Sequence, residues 1–173
     1  GPTPKHCNSN GLNSDIYHRS SEFCELFKNT ASLLKKMIGS HEAPLILTSS
    51  GTGAMEAAIV NFTNEGDEVL VVNGGKFGER WLKINEAYGN KVHSLDLDWG
   101  SSPTVEAVVK LAKAAPSAKA FFIQANETST GVHYPLAELI NAVRSEFRGL
   151  IIVDAISSIG AHESNMQADG IDV

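Results

Sequence analysis

The sequence predicts an α/β protein, a mostly parallel sheet with helices on both faces. Three observations point there. Short apolar runs alternate with longer segments of 3.6-residue periodicity along nearly the whole chain. Those short runs are unbroken rather than alternating, as in strands covered on both faces. The polar, glycine-rich stretches follow the short runs, and open α/β sheets bind ligands beyond the carboxyl ends of their strands.

In chain order, residues 1–19 are rich in Asn, Ser, Gly and Pro and read as an extended arm. From Ser21 to Ile38 the residues Phe23, Leu26, Phe27, Leu34, Met37 and Ile38 share one face, and Gly39 stops the helix. Residues 1–40 are therefore expected to form an arm and first helix, and residues 41–173 the sheet domain. Leu45, Ile46 and Leu47 predict a buried parallel strand, and Met55, Ala58, Ile59 and Phe62 an amphipathic helix. Between them, Ser49, Ser50, Gly51, Thr52 and Gly53 offer hydroxyls and bare N–H groups at the helix's positive end. Such a turn suits an anion, most naturally a phosphate. It lacks both the P-loop lysine and the third glycine of a dinucleotide fingerprint, so a tight turn that binds nothing fits it as well. Gly51 should tolerate a side chain less well than Gly53.

Gly66-Asp67 turns into a strand at residues 68–72, followed by a loop at 73–80 and a helix carrying Trp81, Ile84 and Tyr88 that stops at Gly89. A strand at 91–97 leads to a helix opened by Ser102-Pro103 and continued by Val105, Val108, Val109 and Ala112. Residues 119–124 form the next strand and 125–133 a polar loop. Leu136, Leu139, Ile140, Val143 and Phe147 then mark a helix, and 150–153 a strand that ends in Asp154. Ile171-Asp172-Val173 reads as the beginning of another strand, and both ends of the chain read as cut.

With 173 residues and 42% hydrophobic content, the chain can bury one core. A net charge of −6 without a basic block argues against nucleic-acid binding, and no apolar run approaches the roughly 20 residues of a membrane span. Cys7 and Cys24, with His6 and His18, show no zinc-like spacing, so no metal is expected, free thiols in a reducing compartment are the default, and a cytoplasmic location is expected.

Asp154 follows four apolar residues, where a carboxylate is costly unless donors or a cation face it. A helix cap, an arginine partner or a cofactor group would each satisfy it. Phe77 lies in a glycine-flanked loop, where an aromatic suits ring stacking. Thr128, Ser129 and Thr130 supply hydroxyls to a ligand or simply cap a turn. A ligand with one phosphate, a flat ring and a protonated ring nitrogen would use all of these together. Pyridoxal 5′-phosphate is such a ligand, with an Asp as the expected partner of its pyridinium nitrogen.

The chain resembles the class V branch of the PLP-dependent aminotransferases of fold type I, most closely the serine–pyruvate/alanine–glyoxylate group. The resemblance rests on Gly1-Pro2-Thr3-Pro4, on residues 18–23 (HRSSEF) and 48–57 (TSSGTGAMEA), and on 75–81 (GKFGERW), 127–132 (ETSTGV) and 153–158 (VDAISS), in family order and spacing. It implies a phosphate turn at Ser50, Gly51 and Thr52, and a stacking aromatic at Phe77. It implies further a hydroxyl near the cofactor's phenolic oxygen at Thr128, the pyridinium partner at Asp154, and Ile156 on the opposite ring face. It also implies a homodimer that moves an amino group from serine or alanine to glyoxylate or pyruvate.

The sequence departs from the family in two places. Its arm between Pro4 and His18 is more polar than usual, and the Schiff-base lysine, the substrate-carboxylate arginine and the C-terminal small domain would all lie after Val173. The chain is accordingly expected to be part of a large domain, inactive alone, with no catalytic duty for Lys76. A desulfurase or lyase of the same class, or a non-catalytic binding or assembly subunit that keeps the frame, are the alternatives.

Overall fold

The computed structural model describes residues 16–173, so Cys7 and most of the expected arm lie outside the described residues. Helix α1 (Ser21–Ile38) forms where the periodicity predicts it. The Ser20 hydroxyl accepts from Phe23 N–H at 3.1 Å, and Gly39 closes the helix in the left-handed region at φ 67°. Much of its apolar surface stays exposed, including Leu26, Phe27, Leu33 and Met37, while Phe23, Leu34 and Ile38 are partly covered. Helix α2 (Gly51–Phe62) instead buries Met55, Ala58 and Ile59, while Phe62, expected on that face, is exposed.

Strand β1 (Glu68–Asn73), helix α3 (Lys76–Ala87), strand β2 (Lys91–Asp96) and helix α4 (Val105–Ala114) follow. Strand β3 (Ala120–Gln124) leads into a small hairpin of β4 (Asn126–Glu127) and β5 (Val132–His133), and then come helix α5 (Leu136–Arg144) and strand β6 (Leu150–Asp154). The main sheet runs β2-β1-β3-β6 with every pair parallel. Pleating sends successive side chains to opposite faces and so divides the core in two. Leu70, Val72, Phe121 and Ile123 meet Val108 of α4 and Leu139 and Ile140 of α5. Val69, Val71, Phe122 and Ile152 meet Ile59 of α2 and Trp81 of α3. Helices cover both faces, as predicted.

Three expectations change. Leu45, Ile46 and Leu47 form no strand and have no ladder partner among the described residues, and Leu45 is 91% exposed. An apolar run becomes a buried strand only where neighbours accept its N–H and C=O groups and cover its faces, and no described element does so here. The loop expected at 73–80 is largely helix, because α3 starts at Lys76 and carries Phe77 in its first turn. Gly78 permits this: a Cβ there would lie 2.7 Å from Asn73 Cα and 2.8 Å from the Val72 carbonyl oxygen, so only glycine lets α3 dock on β1. Helix α4 is capped not by Ser102 but by Thr104, whose hydroxyl accepts from Ala107 N–H at 3.2 Å. Residues 171–173 run beside β6, with Val153 N–H donating to the Val173 carbonyl at 2.9 Å.

Gly78→Ala should therefore destabilise the protein by about 1–3 kcal/mol, as overpacking against backbone does. Chemical denaturation of parent and variant measures it, and an unchanged midpoint would show that α3 can shift to make room.

Candidate functional site

The site begins at a reversal in the sheet. From β1 the chain moves outward to β2, then returns to the other side of β1 as β3 and continues to β6. The loops after β1 and β3 therefore leave in opposite directions and open a crevice at their carboxyl ends, where such sheets take ligands.

On one side of the crevice stands the N-terminus of α2. Ser50 is its N-cap, yet its hydroxyl caps nothing among the described residues. The N–H groups of the first turn have no intrahelical acceptor and bear the positive end of the helix dipole. Arg80 reaches this turn from α3, donating from Nη1 to Thr52 Oγ1 at 2.8 Å, and its guanidinium lies 4.8 Å from the Phe77 ring centroid. Ile156 arrives from the loop after β6. A Cβ on Gly51 would lie 2.5 Å from Ile156 Cδ1, so that side chain rests directly on the turn. Gly53 is less tolerant than expected, since the Ser49 hydroxyl occupies the space a Cβ would fill and would have to rotate away.

Asp154 closes β6 in register with Gln124 of β3. It accepts from Ile156 N–H at 3.0 Å and makes no ion pair among the described residues. Burial pushes its carboxyl above the usual range, and the Glu127 carboxylate adds to this; the Ile156 N–H and the Arg80 guanidinium pull the other way. Of the three roles open from the sequence, the helix cap and the paired arginine are absent from this geometry. Thr128 Oγ1 lies 2.6 Å from Ser157 Oγ, which also accepts from Asn126 Nδ2 at 2.9 Å, so hydroxyls link the loops after β3 and β6.

Ser50, Gly51 and Thr52 at the start of α2, Phe77 in the first turn of α3, Thr128 in the turn between β4 and β5, and Asp154 and Ile156 at the end of β6 are thus linked through Arg80, Ser157 and Ile156. Lys76 points elsewhere. It pairs with Glu79 at 2.7 Å and is 59% exposed, and hydrogen bonds from Lys76 and Lys83 hold the Glu79 carboxyl at about 2. Arg80, Glu127 and Ser157 also belong to the site, and the sequence pattern did not mark them. Arg80 was accessible once α3 is started at Lys76, because i and i+3 share a helix face and set it beside Phe77. Glu127 gave no such signal. Among the described residues no three of His, Cys, Asp and Glu are placed to hold a metal, and no helix is long and apolar enough to cross a membrane.

The fold is shared with solved enzymes. An aspartate aminotransferase of subgroup IV from Thermus thermophilus superposes with a TM-score of 0.90 at 32% identity, over 98% of this chain and 47% of that one. The fold is that of PLP fold type I aminotransferases. The family profile described as Aminotransferase class-V matches residues 4–173, and the chain belongs to that family, which is PLP-dependent in general. The soluble hydrogenase 42 kDa subunit of Anabaena cylindrica is 39% identical over 160 residues, 91% of this chain and 42% of its own length. The serine–glyoxylate aminotransferase of Hyphomicrobium methylovorum is 34% identical over 158 residues, 89% of this chain and 39% of its own length. The chain spans about four-tenths of the length of these relatives.

The environment of Asp154 has a consequence for stability without any ligand. A carboxyl raised in the folded state makes folding less favourable as pH rises from the unfolded value of 3.8 through the raised one. Asp154→Asn removes that cost and keeps an acceptor for Ile156 N–H. The cofactor-free variant should melt at a higher temperature than the parent at pH 7, with the gain vanishing below pH 3.8. Thermal scans across this range measure it, and a variant less stable at pH 7 would show that Asp154 is paired after all.

Proposed function

We propose that the full-length protein carrying this chain is a PLP-dependent aminotransferase that moves an amino group from a small amino acid, serine or alanine, to a 2-oxo acid such as glyoxylate or pyruvate. The observation that carries this reading is the unpaired, half-buried carboxylate of Asp154 facing the same crevice as the open amides of α2. An anion site at one end and a carboxylate lacking a cation at the other suit a ligand that is a phosphate at one end and a protonated pyridine nitrogen at the other. The residues fit the group. Ser50, Gly51 and Thr52 would hold the phosphate through their N–H groups and hydroxyls, with Arg80 adding positive charge beside Thr52. Phe77 and Ile156 would hold the ring from opposite faces and exclude water, and Thr128 would meet the phenolic oxygen. Asp154 would keep the proton on the ring nitrogen. The cofactor, when bound, supplies the electron sink for the pair left as the substrate's α-proton departs.

The same reading includes a homodimer in the cytoplasm, and a division into an arm with α1 at residues 1–40 and part of a large domain at 41–173. The name of the Hyphomicrobium relative supports the substrate class. One observation favours a second reading: the Anabaena relative is named as a hydrogenase subunit, which suits a binding or assembly role on the same frame.

In the full-length enzyme, Asp154→Asn should leave the fold intact and lower transamination by at least ~10²-fold, since a neutral amide does not hold the pyridinium proton. Steady-state rates with serine or alanine and glyoxylate measure this; near-normal turnover in the variant would remove Asp154 from the role, and a parent without turnover would favour the second reading. Phe77→Ala should weaken PLP binding by roughly 1–3 kcal/mol. Gly51→Val should weaken it further, because its side chain both blocks the phosphate and displaces Ile156. Cofactor titration decides, and parent-like affinity in Gly51→Val would rule out this turn.

A further inference from the structure

Glu127 is fully buried, and among the described residues it is the one charged side chain in the protein interior. A carboxylate in such a place is costly unless donors surround it. Here no cation does so. Instead Oε1 accepts from Phe77 N–H at 3.2 Å, and Oε2 from Gly78 N–H at 3.0 Å. Ser129 adds its N–H at 3.3 Å and its hydroxyl at 2.6 Å, both to Oε1. The Ser129 oxygen in turn accepts from Lys76 N–H at 2.9 Å. Three consecutive N–H groups of the first turn of α3 are thus taken by a loop some 50 residues away.

Helix capping alone does not require this. The caps of α1 and α4 are local hydroxyls, Ser20 and Thr104, with no charge to bury. The N-cap of α3 is Gly75, where a Cβ would lie 2.6 Å from Glu127 Cγ and from Ser129 Oγ, so the local cap has given way to the distant carboxylate. Glu127 spans the crevice. It ties the loop after β3 to the helix after β1, the two segments that diverge where the sheet reverses, and so sets the width between them. Phe77 carries one of the N–H groups it holds, and Thr128 follows it in the chain.

We propose that Glu127 is a positioning residue of the cofactor site: by gripping the Phe77 and Gly78 amides across the crevice it holds the Phe77 ring and the Thr128 hydroxyl where a planar pyridine ligand meets both. This rests on the PLP assignment above. The charge serves the same end, because the Glu127 carboxylate acts on Asp154 and, after burial, helps push the buried Tyr134 hydroxyl up to about 12. A buried negative charge near Asp154 also favours a cationic ring nitrogen there.

The test uses the full-length protein with Glu127→Gln, which keeps the shape but presents an N–H₂ where the second amide needs an acceptor. Two readouts are taken: hydrogen exchange of residues 76–78 without cofactor, and PLP affinity by titration in four forms, the parent, Glu127→Gln, Phe77→Ala and the double variant. Glu127→Gln should speed exchange at Phe77 and Gly78 and weaken PLP binding at least ~10-fold. Phe77→Ala should cost the parent at least ~10-fold but the Glu127→Gln protein under ~3-fold, because a ring no longer held in place has little left to lose. Faster exchange with PLP affinity within twofold of the parent, or losses that simply multiply, would reduce Glu127 to a structural cap and overturn the proposal. Should Glu127→Gln fail to fold, Ser129→Ala replaces it. That change frees Lys76 N–H and one carboxylate donor; coupling with Phe77→Ala then supports the positioning role, and its absence overturns it. A parent that binds no PLP at all would instead overturn the assignment of the cofactor, and the present proposal with it.

Discussion

Parallel register is the constraint on which the rest of this molecule depends. Pairing from Glu68↔Lys91 to Asn73↔Asp96, and from Ala120↔Leu150 to Gln124↔Asp154, makes the strands end level with one another. Loops that leave these strands therefore start from one edge, however far apart they lie in the chain. Parallel pairing also forces a crossover between successive strands, and the crossovers are helices that bury both faces of the sheet. The two core clusters, one under α4 and α5 and the other under α2 and α3, follow from that requirement.

The reversal between β1 and β3 turns a level edge into a crevice, and the crevice is electrically polarised. The α2 N-terminus and Arg80 make one end positive. Asp154 and Glu127 make the other end negative, each satisfied by N–H donors rather than by a cation. The Glu127 carboxylate adds to the burden on Asp154 rather than relieving it, so the two are poor stabilisers by themselves. Their arrangement makes sense as a site prepared for a ligand that is anionic at one end and cationic at the other. Membership of the class V aminotransferase family and the ligand shape proposed here agree on that point.

The α/β class, α1 with its glycine stop and the buried faces of α4 and α5 were legible in the sequence, and the seven candidate site residues could be named there as expectations. Each is a local property: an amphipathic period, a glycine stop, a hydroxyl-rich turn after an apolar run. The tertiary structure alone decided what depends on neighbours. Leu45, Ile46 and Leu47 have the composition of a buried strand, but burial needs a partner on each side, and the pattern of one segment carries no information about its partners. The start of α3 at Lys76 depends on Gly78 fitting against the Val72–Asn73 backbone, a contact between elements. Glu127 looked like one polar residue in a polar loop. Its role appears only when folding closes the 50 residues between it and Phe77, because a carboxylate in water needs no partner and a carboxylate enclosed by protein must find its donors wherever the fold has placed them.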